Sequence, residues 1–259
     1  MKVKDGEDKS FTFMTQSRAS LATWVTIINL QMNNAEIVPA SELQFAGAPI
    51  QELAPKNFWK VCRISSQELM ENAQTGDILL FTGKTMQDSI IRGITGSKFD
   101  HVGMLVKYEK SGQVLIFESL HGKGVSRWDW QEYERSNYWQ NNYSKIVYRR
   151  LIGVERSEDF RKTVQQFMTE TLGKPYRMLS NVLGAQDTDD HLPEKIRTKA
   201  GFFCSELIAC QLKRLGLLDP NIPSTQYWPG QFSTENPSQS IQLLNDSFYS
   251  EEITVELQK

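Results

Sequence analysis

The sequence is short of cysteine, of positive charge and of long apolar runs, and each shortage excludes a class of protein. Its 3 cysteines in 259 residues include no C-x-x-C pair, which argues against a disulfide framework and a structural zinc site. A formal net charge of -2 gives no basic excess for nucleic acid. No apolar run approaches the roughly 20 residues of a membrane span, and the N-terminus lacks a signal-peptide core. We therefore expect a cytoplasmic protein that binds no nucleic acid and needs neither a metal nor a cofactor.

The order of the predicted elements indicates an α+β fold. A composition with 39% hydrophobic and 23% charged residues is that of a globular domain. The S-x-x-E motif that begins at Ser65 predicts a short helix, and apolar periodicity then predicts strands and two longer helices. The strands are predicted over 77–81, 102–108, 113–119 and 146–151, and the helices over 157–172 and 204–215. Antiparallel strands followed by helices are typical of an α+β fold and not of a doubly wound sheet.

The chain divides into four predicted segments. In the first, Phe11 and Phe13 alternate with polar residues in a strand, and Trp24 lies on the apolar face of a helix. The second contains three prolines and few periodic positions, as a connector does. The third holds the main domain, and the fourth is a C-terminal tail. The segments are residues 1–33, 34–64, 65–245 and 246–259.

Cys204 lies in the predicted first turn of an amphipathic helix. The unpaired N–H groups of such a turn favour a thiolate and can stabilise an oxyanion at an attacked carbonyl. Cys204 shares a helix face with Ile208 and Leu212, so its thiol points toward the predicted strands. We interpret Cys204 as a nucleophile. The ordinary alternative is a buried core cysteine, the role that we assign to Cys62 and Cys210.

His101 and Glu118 meet if the two strands that carry them form a hairpin. A four-residue loop after Tyr108 sets a register that places Gly103 opposite Glu118. His101 and Glu118 are then diagonal neighbours at roughly 7–8 Å, which long side chains can bridge. Glu118 would orient His101, whose other ring nitrogen would take the proton of Cys204. A backbone-bonded histidine and a solvated carboxylate are the ordinary alternatives.

The remaining histidines and an aromatic run are assigned structural roles. His121 and His191 are expected at the surface, with His121 as the base if the hairpin register slips by one residue. The aromatic run is expected to pack within an irregular segment, and a stacking surface for a ligand or a membrane interface is the alternative. Its members are Trp128, Trp130, Tyr133, Tyr138, Trp139 and Tyr143.

Two motifs resemble the NlpC/P60 superfamily of papain-like cysteine hydrolases. The segments Leu172-Gly173-Lys174-Pro175-Tyr176 and Gly201-Phe202-Phe203-Cys204-Ser205-Glu206-Leu207-Ile208 are similar to its G-x-P-Y and C-S-x-L-V signatures. The cysteine usually comes first in that superfamily, whereas here the D-H-V-G motif and the F-E-S motif precede it. The chain therefore resembles the circularly permuted branch that includes the YiiX-like bacterial proteins.

The resemblance extends approximately from Ser65 to Gly216. It implies a permuted papain-like fold, in which a central antiparallel sheet packs against the helix that carries the cysteine. It also implies a catalytic triad and a tyrosine hydroxyl near the oxyanion. The residues that match these positions are Cys204, His101, Glu118 and Tyr176.

The N-terminal segment carries a second resemblance. Phe11-Thr12-Phe13 and Trp24 resemble the last strand and C-terminal helix of a pleckstrin-homology domain, a fold that binds phosphoinositides or proteins. The earlier strands and the basic loop of that fold are absent, so no residue inherits lipid binding. A fragment of a longer protein and a helical appendage both stay open as interpretations.

The combined pattern predicts a cysteine hydrolase or acyltransferase that cleaves an amide, ester or thioester through an acyl-enzyme on Cys204. Peptides, protein conjugates and lipid acyl groups all fit as substrates. The alternative is a noncatalytic papain-like adaptor that binds membrane lipid or protein partners, with peripheral membrane association. Thiol reactivity at neutral pH separates these two hypotheses.

Overall fold

The computed structural model describes most of the predicted main domain and short pieces of the N-terminal segments. The described residues are 2–4, 10–12, 44–45, 48–49, 62–85, 92–93, 96–177, 201–236 and 238–257. The predicted helix of Trp24 and the position of His191 lie outside the described residues. The resemblance to a pleckstrin-homology domain therefore stays a prediction.

The helices and strands of the described residues are numbered here along the chain. The strands are β1 (Lys2–Lys4), β2 (Ser10–Thr12), β3 (Gln44–Phe45), β4 (Ala48–Pro49), β5 (Cys62–Ser65), β6 (Ile78–Gly83), β7 (His101–Tyr108), β8 (Gln113–Leu120), β9 (Gly124–Asp129), β10 (Tyr143–Arg149), β11 (Leu151–Ile152), β12 (Phe248–Tyr249) and β13 (Ile253–Glu256). The α-helices are α1 (Ser66–Asn72), α2 (Trp130–Arg135), α3 (Tyr138–Asn142), α4 (Glu158–Thr171) and α5 (Cys204–Arg214). Short 3-10 helices cover Ser224–Gln226 and Pro229–Phe232.

A 7-stranded sheet forms the centre of the fold. Its strands lie in the order β5-β13-β10-β6-β7-β8-β9, and neighbours are antiparallel except for β13 and β5. The β7–β8 hairpin has the predicted register, since Tyr108 pairs with Gln113 and Met104 pairs with Phe117. A mainly antiparallel sheet covered by helices confirms the predicted α+β class.

Helices cover both faces of this sheet. Residues of α4 and α5, such as Val164 and Ile208, pack on one face, and residues of α1 and α2, such as Leu69 and Trp130, pack on the other. Side chains alternate along β7, so Val102 joins the first face. The ring of its neighbour His101 contacts residues of the second face. The two faces therefore bring different groups to the start of β7.

Two strands of the central sheet fall partly or wholly in segments that were predicted to lie outside the main domain. The predicted tail 246–259 contains β13, which lies between β5 and β10 because Ile253 and Val255 alternate with polar residues and are buried. β5 begins inside the predicted connector 34–64. Each of these strands has only 4 residues, too few for a period of two to stand out in the sequence.

The aromatic run spans the end of β9, two short helices and the start of β10, where the sequence predicts an irregular segment. Asp129 caps α2, because its side chain accepts hydrogen bonds from the N–H groups of Gln131 and Glu132 at 2.9 and 3.1 Å. Trp130 and Tyr133 are buried against the sheet, so the predicted packing role is confirmed for these two residues. The missed signal is the capping aspartate that precedes them.

Asp77 connects the start of β6 to three neighbouring segments. Its buried carboxylate accepts hydrogen bonds from the N–H groups of Gln74 and Leu151 at 2.9 Å and from the Tyr148 hydroxyl at 2.6 Å. Arg156 Nη2 lies 3.0 Å from its Oδ1. Burial raises the pKa of Asp77, while Arg156 and these hydrogen bonds oppose that rise. All four partners donate, so each of them stabilises the ionised carboxylate.

We expect Asp77→Asn to lower the free energy of unfolding by about 3–5 kcal/mol, because it leaves the guanidinium of Arg156 without its carboxylate partner. Urea denaturation followed by circular dichroism measures this change. The exposed Asp159 provides the control, and Asp159→Asn should cost less than about 1 kcal/mol. Equal losses in the two variants would contradict this role of Asp77.

Candidate active site

His101 and Glu118 form a buried pair across the β7–β8 hairpin. His101 Nε2 lies 2.7 Å from Glu118 Oε2, and the two residues are only 7% and 1% exposed. A Cβ atom at Gly103 would lie 3.1 Å from Ile116 Cγ2 and 3.4 Å from Glu118 Cβ. The absence of a side chain at Gly103 therefore leaves room for Glu118. The prediction that the two side chains meet is confirmed, whereas their catalytic roles stay predictions.

Aromatic side chains surround this pair and separate it from water. The rings of Phe81 and Tyr143 lie 5.1 and 6.2 Å from the imidazole of His101, measured between centroids. Burial and the charge of Glu118 raise the pKa of both Tyr133 and Tyr143. Both tyrosines therefore stay neutral at physiological pH.

Cys204 is the first residue of α5, and its thiol lies beside the start of β7. Its Sγ is 3.9 Å from the carbonyl oxygen of Asp100, the residue before His101. Cys204 is 4% exposed and belongs to the same apolar cluster as Ile208 and Leu212. The predicted helix face is therefore confirmed, and it directs the thiol toward the sheet.

Asp100 fixes the backbone that leads into His101. Both oxygens of its buried carboxylate accept a hydrogen bond from the Gly83 N–H at 2.9 Å, and Arg92 forms an ion pair with it. Charge-assisted hydrogen bonds of this kind are stronger than neutral ones. The carbonyl of Asp100 and the imidazole of His101 are thereby held beside the thiol of Cys204.

The imidazole of His101 interacts with Cys204 as well as with Glu118. Since Nε2 contacts Glu118, Nδ1 is the ring nitrogen left for the thiol. Burial alone would lower the pKa of His101, but its charge interaction and hydrogen bond with Cys204, together with those of Glu118, outweigh burial and raise the pKa above its ordinary value. A raised pKa makes the imidazole a stronger base toward the thiol, and the imidazolium that then forms stabilises the thiolate.

Hydrogen bonds from the sheet fix the segment that precedes Cys204. Ser119 Oγ donates to the carbonyl oxygen of Phe202 at 2.7 Å, and Phe202 N–H donates to Pro175 at 3.1 Å. Ser119 directly follows Glu118 on β8, so the two side chains leave opposite faces of that strand. One strand therefore holds both the partner of His101 and the segment that leads to Cys204.

A buried ion pair stabilises the N-terminus of α5. Glu206 Oε2 accepts a hydrogen bond from the Phe203 N–H at 3.3 Å, and Arg177 Nη2 lies 3.3 Å from its Oε1. The N–H groups of Cys204 and Ser205 belong to the first turn, where no intrahelical acceptor exists. These two N–H groups can therefore donate to an oxyanion formed beside Sγ.

Tyr176 lies beside the segment that precedes Cys204. Its backbone pairs with Phe202 in a parallel bridge, and its half-buried ring lies edge-on to His121, with centroids 5.6 Å apart. His121 is exposed in the turn after β8, as predicted, and the hairpin register has not slipped toward it. The role of the Tyr176 hydroxyl near an oxyanion stays a prediction.

Several residues of the site were not expected from the sequence. Asp100 and Ser119 lie inside the D-H-V-G and F-E-S motifs, so their position beside His101 and Glu118 was the available signal. Tyr143 contacts His101 from a strand two places away in the sheet, and no local pattern indicates that contact. The site therefore consists of residues within the motifs and of residues that reach it only through long-range packing.

Within the ranges that the structure describes, no group of three His, Cys, Asp or Glu side chains could hold a metal ion. No helix in those ranges is long and apolar enough to cross a membrane.

We expect Glu118→Gln to lower the pKa of His101. The charge of Glu118 raises that pKa, so its removal makes the imidazolium lose its proton at a lower pH. The titration midpoint of the His101 ring signals, followed by nuclear magnetic resonance, should move down by about one to two pH units. The exposed Glu132→Gln should leave that midpoint unchanged, and an unmoved midpoint in Glu118→Gln would contradict the pairing.

We expect Gly201→Ala to disturb Cys204 more than a glycine substitution elsewhere. A Cβ at Gly201 would lie 2.1 Å from the Pro175 carbonyl oxygen, at a φ of +84°. Gly216 is the matched control, since its φ is +68° and a Cβ there would meet nothing within 4 Å. Gly216→Ala should cost about 1–2 kcal/mol of unfolding free energy. Gly201→Ala should cost more and slow alkylation of Cys204, and equal effects would be inconsistent with this contact.

Comparisons with known proteins place this geometry in a family. A family model described as the permuted papain-like amidase enzyme, YaeF/YiiX, C92 family, matches residues 72–226. The crystal structure of the metalloprotein YiiX from Escherichia coli O157:H7 is similar, with 20% sequence identity, coverage of 71% of this chain and 97% of that chain, and a TM-score of 0.40. A comparison with curated proteins found no match. Because the family model matches more than half of the chain, this protein belongs to the permuted papain-like amidase family of YaeF and YiiX.

Proposed function

We propose that this protein is a cysteine hydrolase that cleaves an amide through an acyl-enzyme on Cys204. The observation that carries the proposal is the buried imidazole of His101, which interacts with Glu118 on one side and with Cys204 on the other. Burying ionisable groups costs free energy, and such groups cluster at functional sites. The amidase family supports an amide as the substrate bond.

The first half of the reaction transfers an acyl group to sulfur. His101 takes the proton from Cys204 at Nδ1, and the thiolate sulfur attacks the carbonyl carbon. The N–H groups of Cys204 and Ser205 stabilise the oxyanion of the tetrahedral intermediate. The carbon–nitrogen bond then breaks, and the imidazolium of His101 gives its proton to the leaving amine.

The second half of the reaction returns the free thiol. His101 removes a proton from water while the water oxygen attacks the thioester carbon, and the carbon–sulfur bond then breaks. The proton returns to Cys204, and a carboxylic acid leaves. Glu118 keeps its charge throughout and holds the imidazole in place. An amine or hydroxyl acceptor instead of water would make the same intermediate serve an acyltransferase.

We expect Cys204→Ala to abolish both amide hydrolysis and labelling by a panel of acyl electrophiles. Cys210→Ala is the matched control on the same helix and should retain both activities. His101→Gln should lower the rate of acylation by about 10²–10⁴-fold, the usual contribution of a positioned base. Intact-mass measurement after labelling and a turnover assay with the best acyl donor give these values.

Two outcomes would overturn the proposal. Full labelling or turnover in Cys204→Ala would show that another group is the nucleophile. Wild-type protein that reacts with none of the electrophiles at neutral pH, yet binds lipid vesicles or protein partners, would favour the adaptor hypothesis.

A further inference from the structure

A polar cleft with a volume of about 580 Å³ opens between the loop before β7 and the segments that follow Tyr227. Its walls come from the loop before β7 and from residues within 228–236 and 238–240. Binding clefts for small ligands fall in the range of roughly 300–1,000 Å³. The cleft is therefore large enough for a few residues of a peptide.

The wall that contains Trp228 contacts the N-terminus of α5. The ring of Trp228 lies 6.0 Å from that of Phe203, the residue immediately before Cys204. Ser205 Oγ, directly after Cys204, donates to the carbonyl oxygen of Tyr227 at 2.6 Å. The wall that contains Trp228 is thus fixed to both neighbours of the nucleophile.

The second wall leads into the residues around His101. Ser97 lines the cleft three positions before Asp100, whose carbonyl oxygen is the one beside the Cys204 thiol. The two walls touch at Gly230, where an added Cβ would lie 2.4 Å from the Ser97 side chain. Both walls are therefore connected to the segments that carry His101 and Cys204.

The lining of this cleft contains one acidic residue, Glu235, and its negative charge is paired with a lysine. Glu235 accepts hydrogen bonds from Ser97 Oγ at 3.1 Å and from the Lys98 N–H at 2.8 Å, and Lys98 Nζ lies 3.1 Å from its other oxygen. Among the described lining residues there is no Lys, Arg or His. Amide and hydroxyl side chains form most of the remainder, with Trp228 as the aromatic member.

We propose that this cleft binds the uncharged backbone of a peptide substrate next to the amide bond that Cys204 attacks. The inference rests on the proposed function and names its substrate class. Gln231 Oε1 and Asn236 Oδ1 each accept one hydrogen bond within the protein, from the Trp228 N–H at 2.8 Å and from Ser238 Oγ at 2.7 Å. These bonds orient the two side chains, whose amide groups, with that of Gln239, are of the kind that pairs with the C=O and N–H groups of a peptide. Trp228 offers a flat apolar surface to a side chain. A long acyl chain would desolvate these polar groups without replacing their hydrogen bonds.

The test measures equilibrium binding to the full chain with Cys204→Ala, so that no turnover occurs. Isothermal titration compares acetyl-capped, amide-terminated tripeptides of neutral residues with N-methyloctanamide, an uncharged alkyl amide. We expect a tripeptide to bind at least tenfold more tightly than the alkyl amide. Gln239→Ala and Trp228→Leu should each weaken tripeptide binding by about threefold to tenfold, the effect of one lost contact. Gln165→Ala, an exposed glutamine on α4, should change nothing.

Three results would overturn the inference: no tripeptide binds, the alkyl amide binds as tightly, or the cleft variants bind tripeptide like the parent. These results are separable from failure of the proposed function. That failure would appear as wild-type protein that binds the tripeptide but neither cleaves it nor forms an acyl-enzyme. Gln239→Ala and Trp228→Leu are also made in protein that keeps Cys204. Iodoacetamide labelling of these variants shows whether the thiol site itself is intact.

Discussion

The buried hydrogen bond between His101 and Glu118 is the interaction on which the rest of the site depends. Moving an imidazolium and a carboxylate out of water costs several kcal/mol for each ion, and their attraction offsets this only in a well-held geometry. The hairpin register, the space at Gly103 and the surrounding rings maintain that geometry. Ser119, on the same strand as Glu118, donates a hydrogen bond to the segment before Cys204. The base and the nucleophile are therefore positioned by one strand, although their positions in the sequence are far apart.

Charge is distributed unevenly between the buried site and the polar cleft. Ionisable groups concentrate around His101, where water is excluded and electrostatic interactions are strong. The cleft is solvent-accessible and its one acid is paired, so hydrogen bonds and shape would decide what it binds. The proposed catalysis at His101 thus depends on charge, whereas binding in the cleft would depend on uncharged contacts. A change in one part need not alter the electrostatics of the other.

Local signals in the sequence were sufficient for the hairpin and for the helix of Cys204. Alternation and a four-residue loop determine the register of β7 and β8, and apolar spacing determines the buried face of α5. The parallel pair of β13 and β5 could not be predicted in this way, because Thr254 and its partner Arg63 lie far apart in the sequence. The wall at Trp228 has no periodic pattern and depends on contacts with Phe203. Elements with local partners were predictable, whereas those defined by distant partners were not.

The position of β13 has a consequence for how the chain reaches its native state. β5 is hydrogen-bonded to β13 alone among the strands of the central sheet, and β13 in turn joins it to β10. During synthesis, β5 must therefore wait until residues 253–256 have left the ribosome before it can be incorporated. The hairpin and the nucleophile helix emerge much earlier and can associate in the meantime. The sheet edge that holds β5 should accordingly be the last part to form and the first to be exposed to proteases and chaperones in a nascent chain.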